Sequence, residues 1–159
     1  MSSRRKKISV LVLNCLLSMV GVSLYAQGDK DKNAIKAVIM EETTSFMKVD
    51  RKSWVNTWVQ APYVYWSYSD STGTSFVEGW DNLSKTFDTY FRTQKPATSK
   101  IVNHWIEIRI YGNGAFVRFD QTIEDEIDHD KTSQVRVLEK KANHWKVVLM
   151  AAEAKYTKK

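Results

Sequence analysis

Apolar positions along the chain fall first at helical spacing and then at strand spacing. Ile35, Val38, Ile39, Phe46 and Val49 share one stripe of a helix that starts at Ala34. Glu42 lies inside that stripe, between Ile39 and Phe46. A carboxylate there needs a partner or a polar cavity, because burying a bare charge is costly. Asp50 is a good N-cap for a second helix over 51–60, whose inner face carries Trp54 and Trp58 and which Pro62 ends. Residues 63–68 alternate as a short strand, 69–73 make a turn, and 74–78 form a second strand. Gly79 leads into a third helix with Trp80, Leu83, Phe87, Tyr90 and Phe91 at helical spacing, and 93–99 is its exit loop.

From Lys100 the period changes to two. Val102, His104, Ile106, Ile108 and Ile110 form one face, and a hairpin turn follows at Gly112-Asn113. Extending the pairing from that turn sets Ile110 opposite Ala115, Ile108 opposite Val117, Ile106 opposite Phe119 and His104 opposite Gln121. The last two strands, 132–140 and 145–154, meet at Ala142-Asn143. A two- or four-residue connection there sets Leu138 opposite Val147 and Arg136 opposite Leu149, with Arg136 pointing inward, whereas a three-residue loop would reverse that parity. The acidic run from Glu124 to Asp130 reads as a solvated hairpin tip, since it lacks the spacing and glycine of a calcium loop.

The N-terminus changes the picture of charge and location. Arg4, Arg5, Lys6 and Lys7 precede an apolar run from Ile8 to Val22 and then Ser23-Leu24-Tyr25-Ala26, the layout of a secretory signal cleaved near Ala26. Uncleaved, residues 8–26 approach the roughly 20 residues that span a bilayer and would anchor the protein. The expected organisation is a signal at 1–26, a flexible segment at 27–33, one domain at 34–155 and a basic tail at 156–159. The mature form is expected in the periplasm or outside the cell, with no membrane segment. Cys15 leaves with the signal, so no disulfide is expected. The four signal cations account for most of the formal +6; of 24 basic residues 20 remain, against 18 acidic, which removes the electrostatic case for nucleic acid.

Three helices followed by a meander of strands, with aromatics from both halves, predict an α+β cone: a strongly curved, mostly antiparallel sheet closed by the helices. The chain resembles the nuclear transport factor 2-like superfamily, in its SnoaL-like and ketosteroid-isomerase-like bacterial branch. The resemblance rests on a first helix ending near Asp50, on Phe76-Val77-Glu78-Gly79-Trp80, on Gly114-Ala115-Phe116-Val117-Arg118-Phe119-Asp120-Gln121, and on the hairpin joining Arg136-Val137-Leu138-Glu139-Lys140 to Trp145-Lys146-Val147. It implies a sheet curled around a cavity open at one end. Members include isomerases, dehydratases and cyclases, as well as proteins that only bind ligands or mediate assembly, and fold alone does not choose among them. Catalytic members often carry a histidine or aspartate inside the last strands, where this chain is expected to place Leu149 and Ala151.

The candidate site combines Glu42 and His104 as acid–base groups with Gln121 and Arg136 as polar partners. Trp54, Trp58, Tyr65, Trp66 and Trp80 would supply its apolar walls. Three functions compete: a non-catalytic binder of a small apolar or aromatic molecule, a cofactor-independent isomerase, dehydratase or cyclase with Glu42 as base, and an interaction domain whose aromatics are all core. His104, His129 and His144 are isolated and no nucleotide or nucleophile-elbow motif occurs, so neither metal nor cofactor is expected. Trp105, Tyr111, Phe116, Val148 and Met150 are expected on the opposite sheet face as an apolar patch. The resemblance implies that this patch joins two copies as a homodimer.

Overall fold

The computed structural model describes residues 27–124 and 129–155. The expected signal at 1–26, most of the acidic tip and the tail at 156–159 lie outside the described residues. The chain divides into compact units at Ala34/Ile35, which are taken separately. Residues 27–34 are helical, with Gln27 Nε2 donating to Asp31 Oδ2 at 3.1 Å.

The second unit opens with α1, residues 35–47, which buries Ile35, Ile39, Glu42 and Ser45. Its C-terminus is closed by backbone bonds from Val49 N to Phe46 O (3.0 Å) and from Asp50 N to Ser45 O (2.9 Å). That pairing is a Schellman cap, which normally carries glycine at the left-handed position. Here Val49 occupies it with φ 57°. Asp50 then caps α2, Arg51–Thr57, by accepting from Ser53 N at 3.0 Å, as its sequence position predicts. The helix stops short of the expected residue 60. Trp58 forms a parallel bridge with Val147, and Val59 N donates to Val147 O at 2.9 Å, so sheet pairing claims the backbone that the helix would have used.

Strands β1, Tyr65–Asp70, and β2, Gly73–Glu78, form a hairpin ahead of α3, Trp80–Thr93. Gly79 stands at φ 80° before α3, and a Cβ there would lie 3.3 Å from the Pro62 carbonyl oxygen. Four longer strands follow: β3, Lys100–Tyr111; β4, Gly114–Glu124; β5, His129–Lys141; and β6, His144–Ala154. Among the described residues they make one sheet in the order β2-β1-β6-β5-β4-β3, parallel only between β1 and β6. Three helices packed on a mixed, mostly antiparallel curved sheet are the architecture that the periodicity predicts. The core joins both layers through Trp54, Trp58, Leu83, Phe119, Leu138 and Val147.

Two β-bulges revise the predicted faces. In β3 the pairing runs as expected from Tyr111–Gly114 to Ile108–Val117, then shifts at Ile106. Trp105 thereby faces Phe119 and Asn103 faces Gln121, while His104 falls opposite Asp120 on the exposed side. In β6 the pair Leu138–Val147 holds, but Val137 meets Leu149, leaving Val148 as the extra residue. Arg136 therefore pairs with Met150 rather than Leu149. Each inserted residue reverses the alternation of every side chain beyond it. Trp105 and Met150, expected on the outer face, point inward as a result, and Val148 is buried in the core. Of the expected patch, Tyr111 keeps its outer position and is exposed, and so does Phe116, in register with Val137, Leu149 and Tyr65.

Candidate functional site

A cavity of about 200 Å³ lies between the helices and the inner face of the sheet. One wall is aromatic. Phe46 of α1, Trp54 of α2, Phe87 of α3 and Trp66 with Tyr68 of β1 line it. These rings brace one another: Trp54 meets Phe87 at 5.7 Å, Phe87 meets Phe46 at 5.3 Å, and Trp66 meets Phe87 edge-on at 5.1 Å. Tilted and edge-to-face contacts of this kind hold ring orientations and so fix the shape of the wall.

The other wall is a buried polar network. α1 brings Glu42 and Thr43 down onto the sheet, and β4 and β5 present Gln121, Gln134 and Arg136. Arg136 Nη2 donates to Glu42 Oε2 at 3.2 Å, and Arg136 Nη1 donates to Gln134 Oε1 at 2.6 Å. Gln134 Nε2 donates to Gln121 Oε1 at 3.3 Å and to Thr132 Oγ1 at 2.6 Å. Gln121 Nε2 completes the chain by donating to Asn103 Oδ1 at 2.9 Å and Thr43 Oγ1 at 3.3 Å. Burial pushes the Arg136 guanidinium below its ordinary pKa, and the charge and hydrogen bond of Glu42 oppose the fall. The charged pair is therefore a neutral unit set in an amide network, as buried charges require.

Four buried side-chain atoms, Trp54 Nε1, Trp58 Nε1, Ser99 Oγ and Arg136 Nε, have no hydrogen-bond partner among the described residues. Trp54 and Arg136 line the cavity, each at 1 % exposure. Asp130 adds an exposed carboxylate to the lining. No group of three or more His, Cys, Asp or Glu side chains comes together among the described residues to hold a metal ion.

Of the residues expected at the site, Glu42, Trp54, Trp66, Gln121 and Arg136 converge on the cavity. His104 does not, because the Ile106 bulge turns it outward. Tyr65 stacks on exposed Phe76 at 6.2 Å on the outer face, again by parity, since Trp66 and Tyr68 take the inner positions. Trp58 and Trp80 pack against Trp54 at 5.9 Å each and support the wall from behind. Gln134, Thr43 and Asn103 are additions to the sequence reading. Gln134 was legible, standing two residues before inward-facing Arg136 on one strand. Asn103 was not, because its inward position depends on the bulge. With Met150 and Ala152 in the inner positions of β6, that strand brings no acid–base group to the cavity.

No family model matches the chain. No curated protein matches it either. Solved structures do. An NTF2-like protein of unknown function from Shewanella oneidensis superposes with a TM-score of 0.62 at 14% identity, over 77% of this chain and 98% of its own. A proposed dehydratase of the NTF2-like family from Streptomyces avermitilis gives 0.63 at 12% identity, over 81% and 99%. An NTF2-like protein of unknown function from Shewanella baltica gives 0.59 at 18% identity, over 80% and 96%. At such identities the likeness concerns the backbone and leaves the activity open. Superposing on NTF2-like structures over about four fifths of its length, the chain has the nuclear transport factor 2-like fold.

Proposed function

We propose that this protein binds a small, largely apolar molecule in the cavity between its helices and its sheet, without chemical conversion. The observation that carries the reading is an aromatic-walled cavity of about 200 Å³ that stays open beside a closed Glu42–Arg136 pair. A domain using its aromatics only as core would fill that space, since interiors pack to crystal density. Catalysis by Glu42 as base is the second reading, favoured by the place of its carboxylate in the lining and by the dehydratase assignment of the Streptomyces neighbour. Against it, taking up a proton would cost Glu42 its ion pair and leave a buried guanidinium without a counter-charge. The reading extends to an exported protein, supported by the signal-like residues 1–26, and to a homodimer, supported by the outer row Phe116, Val137, Leu149 and Tyr65.

Native mass spectrometry of protein purified from its own host tests the first reading. A retained small molecule, lost on denaturation, is the expected result. Turnover of such a molecule that disappears in Glu42→Gln while binding persists would move the assignment to catalysis.

A further inference from the structure

We infer that the cavity takes a small organic ammonium ion, its alkyl groups packed on the aromatic wall and its charge answered by the surplus carboxylate of the lining. This rests on the binding reading above and specifies its ligand.

The wall is the first ground. Phe46, Trp54, Trp66, Tyr68 and Phe87 line one side of the cavity, and Met47 and Met150 add two thioethers. Ring contacts at 5.1, 5.3 and 5.7 Å hold the aromatics together. A space of about 200 Å³ keeps any guest against this wall. That places it inside the roughly 6 Å over which an aromatic ring attracts a cation. The attraction is best for tryptophan and grows as water is removed. Two of the five rings are indoles, and Trp54 is almost wholly out of water.

The second ground is charge. The side chains lining the cavity that bear charge at neutral pH are Glu42, Asp130 and Arg136. Arg136 is committed within the protein: Nη2 donates to Glu42, Nη1 donates to Gln134, and the guanidinium carbon lies 5.6 Å from the Phe119 ring centroid. Its Nε is sealed, so little positive charge is within reach of a guest. Asp130 is exposed and remains over, which gives the lining one net negative charge. The lining positions of β5 are Asp130, Thr132, Gln134 and Arg136. Along an extended strand that row sets Asp130 about 20 Å from Arg136, at the open edge. An entering cation meets this carboxylate first, whereas an anion meets it and finds no uncommitted cation inside.

The third ground is size. A dry cavity of about 150 Å³ is known to hold benzene. The roughly 200 Å³ here has room for a trimethylammonium group on a short arm.

Three probes share one shape and differ in charge: choline, its uncharged carbon analogue 3,3-dimethylbutan-1-ol, and the anion 3,3-dimethylbutanoate. Each is titrated into the purified protein and followed by amide chemical shifts and tryptophan fluorescence. Choline is expected to bind on the order of tenfold more tightly than the alcohol. The anion is expected to bind more weakly than either. Asp130→Asn changes an exposed side chain and is expected to leave the fold intact. It should cut the choline advantage by about twofold to threefold, the worth of one solvent-screened charge, and leave the affinity for the alcohol as it was.

Choline binding no tighter than the alcohol would overturn the cation inference while leaving a ligand-binding cavity in place. Tightest binding of the anion overturns it in the same way. A choline advantage that survives Asp130→Asn undiminished overturns the part given to the carboxylate. Binding by none of the three overturns the inference; if native mass spectrometry also finds no retained molecule, the binding reading falls with it.

Discussion

Glu42 of α1 and Arg136 of β5 meet at 3.2 Å with both side chains almost fully out of water, at 7 % and 1 % exposure. This contact ties the first helix to the middle of the sheet and sets the polar wall of the cavity. Its energetics are asymmetric: the intact pair adds little net stability, but either partner alone is an uncompensated buried group.

Glu42→Leu is therefore expected to lower stability by about 3–5 kcal/mol, and Arg136→Met by a similar amount. Replacing both, as Glu42→Leu with Arg136→Met, should cost far less than the sum of the single changes. Urea denaturation of the four proteins in a double-mutant cycle measures the coupling. Strictly additive losses would mean that the pair is not a unit.

The Ile106 bulge makes a prediction about neighbours in sequence. Trp105 packs on Phe119 at 5.0 Å beneath Lys36, whose Nζ lies 5.6 Å from the indole ring, whereas His104 is exposed. Trp105→Ala should cost about 2–3 kcal/mol, somewhat below the figure for a fully buried aromatic, and His104→Ala should stay within about 0.5 kcal/mol. Thermal melts of both variants decide it. The reverse ranking would restore the register without the bulge.

Val49 is held at φ 57°, a conformation that places a β-branched side chain under strain. Val49→Gly should stabilise the domain by up to about 1 kcal/mol, after the greater freedom of glycine in the unfolded chain is subtracted. The melting temperature would rise by a few degrees. A fall would mean that packing of the valine outweighs its backbone strain.

The pH dependence of stability is expected to draw on Asp120. The hydrogen bond from Lys155, at 2.7 Å, holds its folded-state pKa below the ordinary 3.8, helped by Ser133 and by the charge of His104 against partial burial. A depressed carboxylate contributes stability above its unfolded-state value and loses that contribution as the pH falls through its folded-state value. The gap between the native protein and Asp120→Asn should thus be present at neutral pH, shrink below about pH 4, and amount to no more than about 1 kcal/mol for a pair this exposed. A gap that widens in acid would contradict the assignment.

The proposed dimer is tested at Leu149, which stands in the outer row with Phe116, Val137 and Tyr65. Leu149→Asp should convert a dimer to a monomer in sedimentation velocity at tens of micromolar while leaving the far-ultraviolet circular dichroism unchanged. A wild-type protein that sediments as a monomer removes the partner reading.

The sequence by itself determined the identity and order of the elements. Helical spacing at Ile35, Ile39 and Phe46, the cap at Asp50 and the turns at Gly112 and Ala142-Asn143 act locally, and each is realised. Local rules also put Glu42 on the buried stripe and turned Arg136 inward. The register holds for the pairs nearest each turn, where chain connectivity enforces it. Farther out, only tertiary structure decided. Ile106 and Val148 lie among similar apolar residues, so nothing in the local pattern marks either as the extra residue of a bulge. A single insertion reverses every position beyond it, sending His104 out and bringing Asn103, Trp105 and Met150 in. Likewise, aromatic content alone could not say which rings line the cavity and which stand behind it. That division between Trp54 and Trp66 on one side and Trp58, Trp80 and Tyr65 on the other follows from strand parity and helix packing across the whole domain.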